Sequence, residues 1–247
     1  MIRLDVPIPT CDGSCEEPCD RSCKGYRYLA TSPAGFVQQL SQAYVKWGYF
    51  FWVGGELDEG KDPRLLDYKL LNAYPVEVTK HQRHYRRRVK KEAGLQYLRH
   101  GRHWVLIARE GRSPFFSREA RSIRDIRESP YHFRGYSVGY KNEKAHVAIS
   151  RDRFAELRRE VLAQALRRHP NEWRRWFWEL PFEAYGGVIQ QARTLLGLIN
   201  EARRAAGDDP LSDRFVRRYR KPVKPFAPLG SAGAGVASCP RPGEEYG

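Results

Sequence analysis

The order of apolar and polar positions predicts a helix followed by a strand in the first part of the chain. Ser32-Pro33 is typical of a helix start, because serine caps well and proline fits the first helical turn. Phe36 and Leu40 follow at helical spacing. The run 49–53 is apolar on both faces and rich in aromatic residues, which indicates a buried strand.

The middle of the chain continues this alternation. Leucines at helical spacing and a dense basic stretch predict two helices, and a second apolar run predicts another buried strand. A shorter helix and a β-hairpin follow. The predicted ranges are 63–73 and 79–93 for the two helices, 104–108 for the strand, 117–128 for the short helix, and 134–140 with 144–150 for the hairpin.

The pattern then becomes helical and finally stops. Apolar residues recur every three or four positions in three successive stripes, which predicts amphipathic helices. From residue 207 onward proline, glycine, alanine and basic residues dominate, so we predict a basic and then disordered tail. The stripes are Phe154, Leu157, Val161 and Ala165; Trp173, Trp176, Phe177 and Leu180; and Val188, Ala192, Leu195, Ile199 and Ala202.

This order of elements predicts an α+β fold: a small mixed β-sheet with packed helices and a helical C-terminal half. Three regions are expected along the chain. Residues 1–31 form a cysteine-rich appendage, residues 32–206 the core domain, and residues 207–247 the tail.

Composition narrows the class of protein. The 247 residues include 44 Lys and Arg against 29 Asp and Glu, a net charge of +15. A hydrophobic fraction of 41% with 13% aromatics excludes a wholly disordered basic protein. No apolar run reaches the ~18–20 residues of a membrane span, and the N-terminus lacks a signal-peptide core. We therefore expect a soluble, cytoplasmic protein with no membrane span.

The positive charge is concentrated, which indicates an anionic partner. Residues 79–103 hold nine Lys or Arg and one acid, Glu92, and a second basic cluster lies within 214–224. A polyphosphate backbone relieves such repulsion and releases condensed counterions. An acidic membrane surface or an acidic protein remains an alternative. The predicted phosphate contacts are Arg86, Arg87, Arg88, Lys90, Lys91, Arg99, Arg102, Arg217, Arg218 and Arg220.

Two tyrosines in the predicted hairpin are candidates for stacking on unpaired bases. Tyr136 and Tyr140 share one face of a strand. The start of this segment, Arg134-Gly135-Tyr136, partly resembles the RNP1 strand of RNA-recognition motifs. That resemblance implies an exposed RNA-binding sheet face. The alternative is that both tyrosines cover a helix in the core.

Four cysteines with three residues between neighbours predict a metal site. In a reducing cytoplasm such a cluster favours metal over disulfides, and the glycine and proline around it suit loops that fold around Zn²⁺. An iron–sulfur cluster, or no metal at all, is the alternative. The predicted ligands are Cys11, Cys15, Cys19 and Cys23.

A second set of residues allows an enzyme hypothesis. Glu56 and Asp58 follow the first predicted strand, and His100 and His103 are separated by two residues. Carboxylates and histidines could hold Mg²⁺ or Mn²⁺ in a nuclease. The set resembles rolling-circle replication initiators, relaxases and transposases, which use a His-hydrophobe-His motif and a catalytic tyrosine. This chain departs from the motif, since two non-hydrophobic residues separate the histidines.

The preferred hypothesis is a nucleic-acid-binding protein for RNA or single-stranded DNA. Basic residues would hold phosphates, and tyrosines would stack on bases. The alternatives are a metal-dependent nuclease or replication initiator of the transposase type, and an adaptor that binds an acidic protein.

Overall fold

The computed structural model describes residues 26–227 and confirms the α+β class. The chain divides into two compact units. The first takes the described residues up to Phe36, then Gly48–Arg124, and those from Lys224 onward. The second takes Val37–Trp47 and Asp125–Val223. Among the described residues, no helix combines the length and apolar character needed to cross a membrane.

The first unit is built on a sheet in the order β2-β3-β1-β4. The strands are β1 (Tyr49–Glu56), β2 (Leu95–His100), β3 (His103–Arg109) and the two-residue β4 (Arg124–Asp125). Strand β3 is antiparallel to both β1 and β2. Strand β2 was not predicted, because its polar residues Gln96 and Arg99 are buried and hide the apolar pattern.

Helix α2 (Pro63–Ala73) covers one face of this sheet. Its Leu66 and Leu70 share a core cluster with Val53, Tyr97 and Leu106 of the three long strands. The helices α3 (Lys80–Arg88) and α4 (Pro114–Arg118) complete the unit. The predicted helix over 117–128 is wrong. In this region the structure has only the short helix α4. At its start, the Ser113 side chain accepts a hydrogen bond from the Phe115 amide.

The helix predicted after Ser32 is confirmed as α1 (Pro33–Gln38). It continues as a π-helical turn, Gln39–Tyr44, and a 3₁₀ turn, Val45–Trp47. Gly48 follows with a φ of 86°, a left-handed conformation that glycine adopts without steric cost.

The second unit contains an antiparallel sheet in the order β5-β6-β7. Its strands are β5 (Tyr131–Phe133), β6 (Tyr136–Lys141) and β7 (Lys144–Ile149). The predicted hairpin is confirmed in β6 and β7. Asn142 and Glu143 connect them with φ values of 51° and 59°, as a two-residue hairpin turn of matching twist requires.

The three predicted amphipathic helices are confirmed as α5 (Arg151–Gln164), α6 (Pro170–Glu179) and α7 (Gly186–Ala205). The buried residues of α5 and α6 fall on the predicted stripes, and α7 buries Gly187, Leu196 and Arg203 in addition to residues of its stripe. Helix α7 approaches β7 very closely, because a Cβ on Gly187 would lie 2.5 Å from the Val147 carbonyl oxygen. Only a residue without a side chain fits there.

The first part of the predicted tail, residues 207–223, belongs to the second unit. Leu211 and Val216 are buried. Asn200 holds Leu211 from both sides: its side chain accepts from the Leu211 amide at 2.7 Å and donates to the Leu211 carbonyl at 3.1 Å. Gln38 holds Val223 in the same way, at 3.2 Å and 2.7 Å.

Candidate nucleic-acid interface

The predicted basic helix exists as α3, and it is shorter than predicted. Its first turn is closed by a capping box: the Gln82 amide donates to the Thr79 hydroxyl at 3.2 Å, and the Thr79 amide donates to the Gln82 side chain at 3.0 Å. The helix ends at Arg88 instead of residue 93. Shortly after it, Lys91 has a φ of 54°, which is incompatible with a continuing helix.

The lysines that follow α3 lie on a segment whose backbone is held in place. The Arg112 amide donates to the Lys91 carbonyl at 3.0 Å, and the Arg112 side chain donates to the Lys90 carbonyl at 3.0 Å. The Ala93 amide donates to the Arg112 carbonyl at 3.0 Å. These bonds fix the backbone while the Lys90 and Lys91 residues remain exposed.

Five of the predicted phosphate contacts therefore lie within one short stretch. Arg87, Arg88, Lys90 and Lys91 are exposed, and Arg86 is half-buried. One carboxylate accompanies them: Glu92, whose Oε2 lies 3.7 Å from Nε of Arg86. A partly exposed ion pair of this kind adds little to stability. With five cations and one acid in the stretch, the positive charge is largely uncompensated. We call this set of five residues, Arg86, Arg87, Arg88, Lys90 and Lys91, the basic surface.

A small cavity of about 50 Å³ lies beside the basic surface. Its arginines come from α3 and from the end of β3, where the Arg109 guanidinium lies 5.3 Å from the centre of the Tyr49 ring, and its two acids are Glu92 and Glu110. Burial lowers the pKa of Arg109, and the nearby charge of Arg87 lowers it further. The cavity therefore has a strongly positive environment. Its arginines are Arg83, Arg86, Arg87 and Arg109.

Two predicted phosphate contacts lie elsewhere. Arg99 is buried, and its Nε and Nη2 donate to Asp67 at 2.7 Å and 2.6 Å. The Nε of Arg102 donates to the Leu57 carbonyl at 2.8 Å. Arg102 precedes β3 and Arg109 ends it, so roughly 20 Å separate them at the rise of a strand. The assignment of Arg99 to phosphate is wrong, and Arg102 is not part of the basic surface.

The predicted stacking pair does not form an exposed platform. Tyr136 is buried, and its ring meets that of Phe182 edge-on at 5.0 Å. Its hydroxyl accepts a hydrogen bond from the Glu183 amide at 2.7 Å, and burial raises the pKa of Tyr136 to about 12. Tyr140 is half-buried. The role predicted for Tyr136 is wrong, because the residue is part of a core.

A different tyrosine is exposed beside the basic surface. Tyr85 lies on α3 and is 54% exposed, next to Arg86 in the chain. The sequence contained a signal for it, because an aromatic residue interrupts the densest basic run. It was not assigned to base stacking because exposure cannot be read from a charge run.

The three C-terminal arginines predicted to contact phosphates make contacts within the second unit. Arg217 donates to the Phe182 carbonyl, and Arg218 pairs with Asp213. The Arg220 guanidinium lies 4.6 Å from the centre of the Tyr185 ring. Arg217, Arg218 and Arg220 therefore hold the end of this unit, and their role as phosphate contacts stays a prediction.

Three of the four predicted catalytic residues fall in one row across the first sheet. Glu56 is paired with His103, and His103 with His100, at the end of the sheet opposite the basic surface. The Glu56 carboxylate lies 3.6 Å from Nε2 of His103. Nδ1 of His100 lies 2.9 Å from the Ala30 carbonyl oxygen.

The fourth candidate, Asp58, is directed elsewhere. Its carboxylate accepts a hydrogen bond from Lys61 at 2.5 Å, which lowers the pKa of Asp58. Within residues 26–227, no group of three or more histidines and carboxylates is arranged to hold a metal ion. The predicted zinc ligands Cys11, Cys15, Cys19 and Cys23 lie outside the described residues.

No protein-family model matches the chain, and no curated protein or solved structure is significantly similar to it.

Proposed function

We propose that this protein binds RNA or single-stranded DNA through the basic surface. The observation that carries the proposal is the charge at that surface: five cations on α3 and the segment after it, against one carboxylate within the same stretch, Glu92. A bound polyphosphate relieves the repulsion among these cations. Its binding is also favoured by the entropy of the counterions that are released from the nucleic acid.

The exposed tyrosine on the same helix favours a single strand. Phosphate contacts provide affinity without distinguishing single strands from duplexes. A ring at Tyr85 can stack only on a base whose face is free, as in single-stranded nucleic acid. A strand of a few nucleotides could place its phosphates along the basic surface and stack one base on Tyr85.

The test is a binding titration by fluorescence anisotropy. Labelled single- and double-stranded RNA and DNA of one sequence are compared at two salt concentrations, with Mn²⁺ or with EDTA. We expect single strands to bind best, with weaker binding at high salt and no cleavage. The variant Arg87→Gln/Arg88→Gln should lose most of the affinity. The matched control Arg158→Gln/Arg159→Gln removes the same charge from exposed positions on α5 and should retain it.

Other outcomes would contradict the proposal. Metal-dependent cleavage lost in Glu56→Gln would indicate the nuclease alternative. An absence of binding to every nucleic acid, together with stoichiometric binding to an acidic protein, would indicate the adaptor alternative. Equal losses in the two arginine variants would show that net charge matters and the basic surface does not.

A further inference from the structure

The cavity beside the basic surface carries an excess of positive charge. Four arginines and two glutamates, Glu92 and Glu110, line it, which leaves two positive charges uncompensated. One of the arginines has an unused donor. The Nε of Arg83 is buried and has no hydrogen-bond partner among residues 26–227. An unpaired buried donor is costly, and because this Nε is shielded from solvent, the Arg83 guanidinium has to shift slightly before an acceptor in the cavity can relieve that cost.

The cavity has room for a phosphate group. Its volume of about 50 Å³ exceeds the roughly 10–15 Å³ that a single buried water needs. Guanidinium groups bind phosphate oxygens through paired, charge-assisted hydrogen bonds, which makes arginine the suitable lining residue.

Charge distinguishes between the two kinds of phosphate in a nucleic acid. A phosphate within the strand is a diester with one negative charge, whereas a terminal phosphate monoester carries about −1.5 to −2 at pH 7. The monoester matches the two uncompensated charges of the cavity. It also has a nucleoside on one side only, so it can enter a small cavity end-on while the rest of the strand stays outside.

We propose that the cavity formed by Arg83, Arg86, Arg87 and Arg109 binds the terminal phosphate of the strand that lies along the basic surface. This inference rests on the function proposed above. It adds that the protein recognises the phosphorylated end of RNA or single-stranded DNA. The half-buried position of Arg109 contributes, because an anion beside it replaces the hydration that the guanidinium has lost.

The experiment compares three single-stranded oligonucleotides of identical sequence, with a 5′-phosphate, a 3′-phosphate or hydroxyls at both ends. We expect one phosphorylated end to bind about tenfold tighter than the hydroxyl form, the size of a charge-assisted interaction. Arg109→Gln and Arg87→Gln should each abolish that preference. The matched control Arg88→Gln, an exposed residue on the same helix that does not line the cavity, should weaken all three oligonucleotides equally and keep the preference.

The outcomes separate this inference from the function on which it rests. Equal affinity for all three oligonucleotides would overturn the terminal-phosphate site and leave nucleic-acid binding intact. A preference that survives in both Arg109→Gln and Arg87→Gln would also overturn it. Failure of all three to bind would contradict the proposed function itself. Circular dichroism of each variant shows whether a loss reflects misfolding.

Discussion

Arg99 and Asp67 form a buried, two-point ion pair in the core of the first unit. Nε of Arg99 lies 2.7 Å from Oδ1 of Asp67, and Nη2 lies 2.6 Å from Oδ2. Tyr97 donates a third hydrogen bond to the same carboxylate at 2.6 Å. An arginine that the charge pattern assigns to a phosphate partner is therefore a structural residue.

Removing the carboxylate of this pair should strongly destabilise the protein. Asp67→Ala leaves the Arg99 guanidinium buried without a counter-ion, and breaking such a pair costs about 3–5 kcal/mol. Urea denaturation measures the loss. Asp58→Ala, which breaks an exposed pair with Lys61, is the control and should leave the denaturation midpoint unchanged. Equal midpoints for the two variants would contradict this account.

The salt dependence of binding should report the number of charges on the basic surface. Five cations contacting a single strand give a slope of log affinity against log salt of about −3.5. The triple variant Arg86→Gln/Arg87→Gln/Arg88→Gln should bind more weakly and reduce the slope by about two. Titrations at four salt concentrations measure it. An unchanged slope would mean that these arginines do not contact phosphates.

The two tyrosines should respond differently to substitution. Tyr85→Ala should weaken single-strand binding by about 1–3 kcal/mol, the value of one stacked base, whereas the exposed Tyr219→Ala serves as a control without loss. Tyr136→Phe should leave binding unchanged and lower the free energy of unfolding by about 1 kcal/mol, since the Glu183 amide loses its acceptor. The reverse result would restore Tyr136 as the stacking residue.

The close approach of α7 to β7 predicts opposite effects for two glycines on one helix. Gly187→Ala places a Cβ 2.5 Å from the Val147 carbonyl oxygen and 2.7 Å from Nε2 of His146, so it should destabilise the protein by about 1–3 kcal/mol. Gly197→Ala has open space around it and should stabilise the helix by about 0.5–1 kcal/mol. Thermal unfolding of both variants tests the packing.

Acid should weaken the second unit through His146. Burial lowers the pKa of His146 below its ordinary value of 6.5, and Lys141 lowers it further. The folded state then binds fewer protons than the unfolded chain. The stabilisation is complete above about pH 6.5 and is lost as the pH falls towards the lower folded pKa. Urea denaturation between about pH 7 and 5 should show this slope, and His146→Gln should reduce it. The exposed His132→Gln should not.

Much of the local structure followed from the sequence alone. The apolar stripes predicted α5, α6 and α7, and the turn residues between β6 and β7 predicted the hairpin. Helix α3 was predicted from its basic composition, with an end at residue 93 instead of Arg88. These elements are readable because helical and strand periodicity are properties of neighbouring residues, and burial of their apolar faces follows directly from the pattern.

The roles of individual polar residues were decided by tertiary structure. Arg87 and Arg99 belong to the same basic region of the sequence, yet one is exposed and the other is paired with Asp67, a residue 32 positions earlier. Tyr85 is exposed and Tyr136 buried for the same kind of reason. The role of a charged or aromatic side chain depends on the residues that surround it, and those residues come from distant parts of the chain. The sequence determined a basic α+β protein, and the fold decided which of its cations and rings face solvent.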